Sequence, residues 1–238
     1  MCKNILSIDT SFNQCSIAIL HNQKIDNETT ICYEKHEKII LPMLKKILIR
    51  NKMKINDFEV ISFSNGPGNF TGIRIAASVA QGLSIPYNIP LIGISTFSIL
   101  AQQAWRKKNI KQSIICIISG NKTIYYAKYK KNHLNIWLRK EIKLLSNINN
   151  MYKKIKILSK NWYFIGCGSI FLKIKKNFFL KSKNIMQPHA QDLIPLTIIE
   201  FKKRNFLSYN NMNLNYFYNP IYFIIHKLHM FYNILYVV

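Results

Sequence analysis

The run Ser64-Asn65-Gly66-Pro67-Gly68-Asn69-Phe70-Thr71-Gly72-Ile73-Arg74-Ile75 constrains the fold of this chain more than any other stretch. Upstream, Phe58-Glu59-Val60-Ile61-Ser62-Phe63-Ser64 reads as a strand, and downstream a helical pattern reaches Leu83. Between them Gly66 and Gly68 tolerate backbone angles closed to other residues, and Pro67 fixes its own φ, so the turn is tight and stiff. Asn69 or Thr71 is placed to cap the helix that follows. A strand-turn-helix of this kind either holds an anion on the N–H groups of the helix N-terminus or docks a helix against a sheet. Which of these applies decides whether the chain is an enzyme.

Around this segment the pattern is α/β. Three short strands are expected at 4–9, 15–20 and 29–33. A helix over 36–52 follows, with Ile40, Leu44, Ile47 and Leu48 on one face and Pro42 inside it, where a bend is expected. Beyond the Gly-Pro-Gly turn the expectations are a strand at 91–94, a helix at 96–107 and a strand at 113–118. A turn at Gly120-Asn121-Lys122 then leads into strands at 124–129 and 135–143. A helix at 149–158, a strand at 162–165 and a helix at 191–203 precede an aromatic tail from about 221. A meander followed by alternating strands and helices predicts mixed sheets flanked by helices, arranged as two lobes.

Acidic residues test the enzyme reading, since hydrolysis, phosphoryl transfer and metal binding usually need them. The chain has ten, against 34 Lys and Arg, and none lies between Ile61 and Lys140. Only Asp9, at the end of the first strand, is placed as an Asp that holds Mg²⁺ beside phosphates would be; its expected role is to hydrogen-bond the turn after it. The Gly-Pro-Gly turn lacks the Lys-Ser or Lys-Thr of a P-loop and the third Gly of a dinucleotide fingerprint. The six histidines form no H-x-x-x-H or H-E-x-x-H pair and are expected on the surface. The five cysteines lack a C-x-x-C, which fits reduced thiols and neither a disulfide framework nor a zinc site. These patterns predict no catalytic residue, no metal and no cofactor.

The formal charge of +24 invites a nucleic-acid reading. It comes from 29 Lys and only 5 Arg, spread along the chain, whereas a surface selected for phosphate favours the planar fork of Arg. A solvated surface with weak, salt-sensitive affinity for polyanions is the expectation. No apolar run reaches the roughly 20 residues that span a bilayer, and the N-terminus lacks a signal-peptide core, so no membrane role is expected.

What the helix over 70–83 offers is shape. Gly72, Ala76 and Ala80 make a stripe of small residues, and Ile75, Val79 and Leu83 an apolar ridge beside it. The two together are either buried within the fold or form a partner-binding face, with the helix over 36–52 as neighbour.

In order along the chain stand Ile8-Asp9-Thr10-Ser11, Cys15-Ser16-Ile17-Ala18, His36 with Ile40-Leu41-Pro42-Met43, and the Gly66–Ile75 string. Ala80-Gln81-Gly82-Leu83, Pro90-Leu91-Ile92-Gly93-Ile94-Ser95-Thr96, Ala101-Gln102 and Ala104-Trp105-Arg106 complete the set. Together these pieces resemble the TsaB family of bacterial proteins, densely over residues 4–107 and thinly beyond. The resemblance implies an actin-like ATPase fold with two ribonuclease-H-like lobes, divided here into 1–104 and 105–238 with a divergent tail. It implies a non-catalytic, cytoplasmic subunit for threonylcarbamoyl modification of the tRNA adenosine 3′ of the anticodon, in tRNAs reading codons that begin with A. The implied partners are TsaD, the transferase with which it dimerises, TsaE, which binds that dimer, and functionally TsaC, with tRNA as substrate of the complex and a homodimer when TsaD is absent. The implied TsaD-binding residues are Leu41, Leu44, Leu48, Gly72, Ile73, Ile75, Ala76, Val79, Ala80 and Leu83. Asp9, Thr10, Ser11, Gly66 and Gly68 are the degenerate nucleotide-loop positions. The competing expectation is an active ATP-dependent kinase or hydrolase of the same fold that uses Asp9. Departures from the family lie at Ser119-Gly120-Asn121 and Thr123-Ile124-Tyr125, where charged residues are common, and in the tail, where Ile224 stands for a usual Arg.

Overall fold

The computed structural model describes residues 2–32, 35–119, 123–132, 137–145, 162–169, 181–182 and 185–207. The expected turn at 120–122, the helix at 149–158 and the tail from 221 lie outside them.

Two five-stranded mixed sheets carry the fold. The first contains β1 (Ile5–Phe12), β2 (Gln14–His21), β3 (Lys24–Ile31), β4 (Val60–Ser64) and β5 (Leu91–Ile94), in the order β3-β2-β1-β4-β5. β1, β2 and β3 form an antiparallel meander, while β4 and β5 join in parallel. The second contains β6 (Gln112–Ser119), β7 (Thr123–Lys131), β8 (Trp137–Leu145), β9 (Tyr163–Ile165) and β10 (Lys181–Ser182), in the order β10-β9-β6-β7-β8. Its meander and its two parallel additions repeat the first sheet strand for strand. β3 begins five residues before the strand expected at 29–33, because it is an edge strand whose polar Asp26 and Glu28 hide the alternation. Those two acids pair with Arg50 and Lys46 of the neighbouring helix.

Among the described residues four helices pack on the sheets: α1 (His36–Asn51), α2 (Phe70–Ser84), α3 (Thr96–Lys108) and α4 (Leu193–Lys202). One face of the first sheet, with Leu6, Ile8, Cys15, Ile17, Ile61 and Phe63, lies under α1 and α2. The other face, with Ile5, Ala18, Val60, Ile92 and Ile94, lies under α4. This two-sided burial follows from the strands, whose successive side chains leave opposite faces. α3 is shared: Ile99 packs with the first sheet's α4 side, whereas Phe97, Leu100, Ala101 and Ala104 pack on the second sheet. The division expected at 104/105 is thus crossed by α3 and by the return of α4 to the first sheet.

α3 and α4 are pinned by an ion pair that sequence reading did not single out. Arg106 donates to both carboxylate oxygens of Asp192, at 2.7 and 2.8 Å. Asp192 is wholly buried, so the bidentate guanidinium is what makes its carboxylate tolerable there.

Candidate functional site

The segments flanking the Gly-Pro-Gly turn meet backbone to backbone. Asp9 is fully buried, and its Oδ1 accepts from the Ser11 N–H at 3.3 Å and from the Ser11 hydroxyl at 2.6 Å. The turn expected after Asp9 is instead the irregular end of β1, where pairing with β2 shifts between Asp9 and Phe12, and Asp9 holds that end through Ser11. Thr10 Oγ1 donates to the Gly72 carbonyl at 2.7 Å, and the Asn69 N–H donates to the Ser11 carbonyl at 2.7 Å. A Cβ on Gly68 would sit 2.4 Å from the Ser11 carbonyl oxygen, and one on Gly72 only 2.0 Å from that of Thr10. Glycine is required at both places by this close approach. Gly66, at φ 101°, lends its carbonyl to the Thr96 N–H at 2.9 Å and so ties the turn to the start of α3.

Asp9, Thr10, Ser11, Gly66 and Gly68 therefore do converge, but the end of β1 lies directly on the loop before α2. The Asn69 N–H, which an anion at the helix N-terminus would use, is spent on Ser11. Asn69 is the residue before the helix, yet its side chain does not cap it; its Nδ2 donates to Asn13 Oδ1 at 3.2 Å instead. Contact with the β1–β2 turn outcompetes the expected cap.

A second polar group lies on the α4 side of the same strand ends. Asp9 Oδ2, Ser64 Oγ, Asn65 Oδ1 and Thr96 Oγ1 are buried with no hydrogen-bond partner among the described residues. Burial pushes the Asp9 carboxyl above the usual carboxylate range, and its bonds to Ser11, with the nearby Ser64 hydroxyl, offset only part of this rise.

The face expected to bind a partner divides in two. Gly72, Ile73, Ala76, Ala80 and Leu44 are buried in the chain's own core. The small-residue stripe serves internal packing, because it lets α2 lie close on β1. Gly72, Ile73, Ala76 and Ala80 have little surface to offer a partner, and Leu44 reaches only the floor of a groove. Leu41 is 53% exposed, and Leu48, Ile75, Val79 and Leu83 are half-buried on the outer side. Two exposed apolar neighbours were not singled out from sequence: Phe70, under the Arg74 guanidinium at 3.8 Å, and Ile49. An apolar groove of about 590 Å³ runs beside Leu41, Leu44, Leu48, Met53 and Leu83, rimmed by Lys45, Lys52 and Lys54.

Histidines expected on the surface also move inward. His36 is buried at the start of α1, with Nε2 at 2.8 Å from the Phe12 carbonyl. His189 is partly buried between Thr29 and the Gln191 N–H, and burial, helped by Arg106 and Lys107, lowers its pKa to about 4. Both close packing gaps between elements that sequence spacing cannot relate.

Known proteins resemble this chain over most of its length. The tRNA threonylcarbamoyladenosine biosynthesis protein TsaB of Buchnera aphidicola subsp. Acyrthosiphon pisum is 38% identical over 90% of this chain and 97% of its own length. The protein of that name from Escherichia coli is 30% identical over 81% of this chain and 84% of its own. The chain belongs to the TsaB family. A family model described as TsaD, tRNA N6-adenosine threonylcarbamoyltransferase, matches residues 21–174. A solved structure from Pseudomonas aeruginosa, described as similar to peptidase YEAZ, superposes with a TM-score of 0.80. It covers 91% of this chain and 100% of its own at 23% identity, which shows a common fold. In this TsaB-family chain no helix among the described residues is long and apolar enough to cross a membrane.

Proposed function

We propose that this chain is a non-catalytic subunit of the tRNA threonylcarbamoyladenosine machinery that dimerises with the transferase TsaD through the outer faces of α1 and α2. The observation that carries the proposal is the apolar strip of exposed Leu41 and Ile49 with half-buried Leu48 and Leu83 around one groove, accompanied on α2 by exposed Phe70 and half-buried Ile75 and Val79. An apolar strip that wide on a folded chain is a docking surface. Its lysine rim favours an acidic partner edge. The filled junction at Ser11 and Asn69 supports the absence of catalysis, because the loop lacks an open phosphate cradle there. In this reading the TsaB–TsaD pair is what TsaE binds, TsaC supplies the activated threonylcarbamoyl group, and the modified adenosine lies 3′ of the anticodon. The setting is cytoplasmic, and the same strip joins two copies of the chain when TsaD is absent.

Asp at position 41 or 49 would bring a carboxylate into the strip at an exposed side chain, whereas Val79 packs against the core. Leu41→Asp and Ile49→Asp are expected to weaken TsaD binding by about 30-fold or more, with an unchanged circular dichroism spectrum. Co-purification of both variants with TsaD at wild-type affinity would overturn the proposal. The second reading, a kinase or hydrolase using Asp9, draws on the unpartnered Asp9 Oδ2 beside the strand ends. It requires ATP turnover by the purified chain that is lost in Asp9→Asn.

A further inference from the structure

Cys32 and His36 stand four residues apart, and Cys15, 17 residues before Cys32, meets them in one place. Cys15 lies on β2, Cys32 follows the last residue of β3, and His36 opens α1. β2 and β3 pair so that Cys15 faces Thr30, which puts Cys32 two residues on and on the same side of the sheet. The two sulfurs and one imidazole nitrogen all lie within 4.8 Å of one another, and all three residues are buried. None of the five cysteines is in a disulfide.

The imidazole is already held by its surroundings. The Phe12 carbonyl can only accept, so His36 Nε2 carries the hydrogen of their 2.8 Å bond and Nδ1 keeps a lone pair. Metal-bound histidines are held in this way, by a bond from the ring nitrogen that does not touch the metal. The Cys32 N–H donates to the Asn13 carbonyl at 3.0 Å and fixes that backbone. α1 meanwhile starts without a side-chain cap, after Lys35 in the left-handed region at φ 68°. An anchor through His36 at its first residue does the work that a cap would do.

We propose that Cys15, Cys32 and His36 form a site for a thiophilic d¹⁰ cation, Zn²⁺ or Cu⁺, that staples the β2–β3 edge to the N-terminus of α1. Two thiolates and an imidazole are a soft to borderline donor set, which selects these ions over Mg²⁺ or Ca²⁺. Asp9 does not join the set. It pairs with Ser16, whose side chain receives the Ala190 N–H on the α4 side of the sheet, opposite Cys15. The site thus has three protein ligands, enough for Cu⁺ and for Zn²⁺ with one further ligand from outside the triad. Binding releases the thiol protons to solvent. The staple stands apart from the docking proposal, since it concerns how α1 is held and not what α1 meets.

The test uses the full-length protein purified under reducing, anaerobic conditions. Co²⁺ titration of the wild type is expected to give a sulfur-to-cobalt charge-transfer band at one equivalent, and added Zn²⁺ to abolish it. A parallel arm measures Cu⁺ retention against a Cu⁺ chelator, which separates the two ions. Cys32→Ser and His36→Ala are expected to bind at least about tenfold more weakly, while Cys116→Ser behaves as wild type. If a variant fails to fold, the wild-type cobalt spectrum and a rise in thermal midpoint with metal still decide the matter. Neither ion bound above the level of the Cys32→Ser protein, or no charge-transfer band in the wild type, would overturn the site. So would a Cys15–Cys32 disulfide that persists in the reduced preparation.

Discussion

Two glycines in α2 receive the same substitution with opposite expected results. Gly72 lies where a Cβ would come within 2.0 Å of the Thr10 carbonyl oxygen, and at Gly82 a Cβ would meet nothing within 4 Å. In both cases Ala improves helix propensity by about 1 kcal/mol, so that term cancels in the comparison. At Gly72 the obstacle is backbone, and α2 must retreat from β1 to clear it. Retreat stretches the Thr10 hydroxyl bond to Gly72 and the Asn69 N–H bond to Ser11, both 2.7 Å now, each worth about 1 kcal/mol net. It also disturbs the packing of Ile73, Ala76 and Ala80, with an overpacking cost of about 1–3 kcal/mol. Gly72→Ala should therefore be less stable than Gly82→Ala by about 3–5 kcal/mol. In urea, at a slope of about 2–3 kcal/mol/M, this separates the two midpoints by about 1–2 M. Gly82→Ala should unfold at or slightly above the wild-type midpoint. Gly72→Ala as stable as Gly82→Ala would refute the account of α2 as a helix mounted by backbone contact.

Arg106→Ala strands the buried Asp192 carboxylate and should cost about 3–5 kcal/mol; the double variant with Asp192→Ala should cost less than the sum of the two single changes, and additive urea midpoints would remove the coupling. For Asp9, burial raises the folded-state pKa above that of the unfolded chain. The stability tied to its proton is complete below the ordinary carboxylate value, about 3.9, and is lost as pH rises through the folded value. Asp9→Asn should accordingly be more stable than wild type at neutral pH, by about 1–3 kcal/mol, with an advantage that shrinks as pH falls. An advantage that is independent of pH would show that the buried charge is not its cause.

Much of the architecture is legible in the residues themselves. The Gly-Pro-Gly turn between a strand-forming run and a helical pattern places α2 within a residue of its observed end at Ser84. The apolar spacing of Ile40, Leu44 and Ile47 likewise marks the buried side of α1. Local propensity and hydrophobic period act within a few residues, so the sequence states them directly. β3 was partly hidden because an edge strand needs no apolar alternation on its outer side, and its acids are matched by α1 instead.

The sites depend on distances across the sheet that no spacing rule carries. The small residues of α2 could have served either a partner or the chain's own core, and the approach of Gly72 to Thr10 settled them inside. Cys15 and Cys32 share no local motif, yet the pairing of β2 with β3 brings them to one side of the sheet beside His36. Sequence alone determined that this is an α/β chain with few acids and a stiff turn before α2. Tertiary structure decided which faces stayed exposed and which side chains met, because strand register and helix docking alone bring distant residues within bonding range.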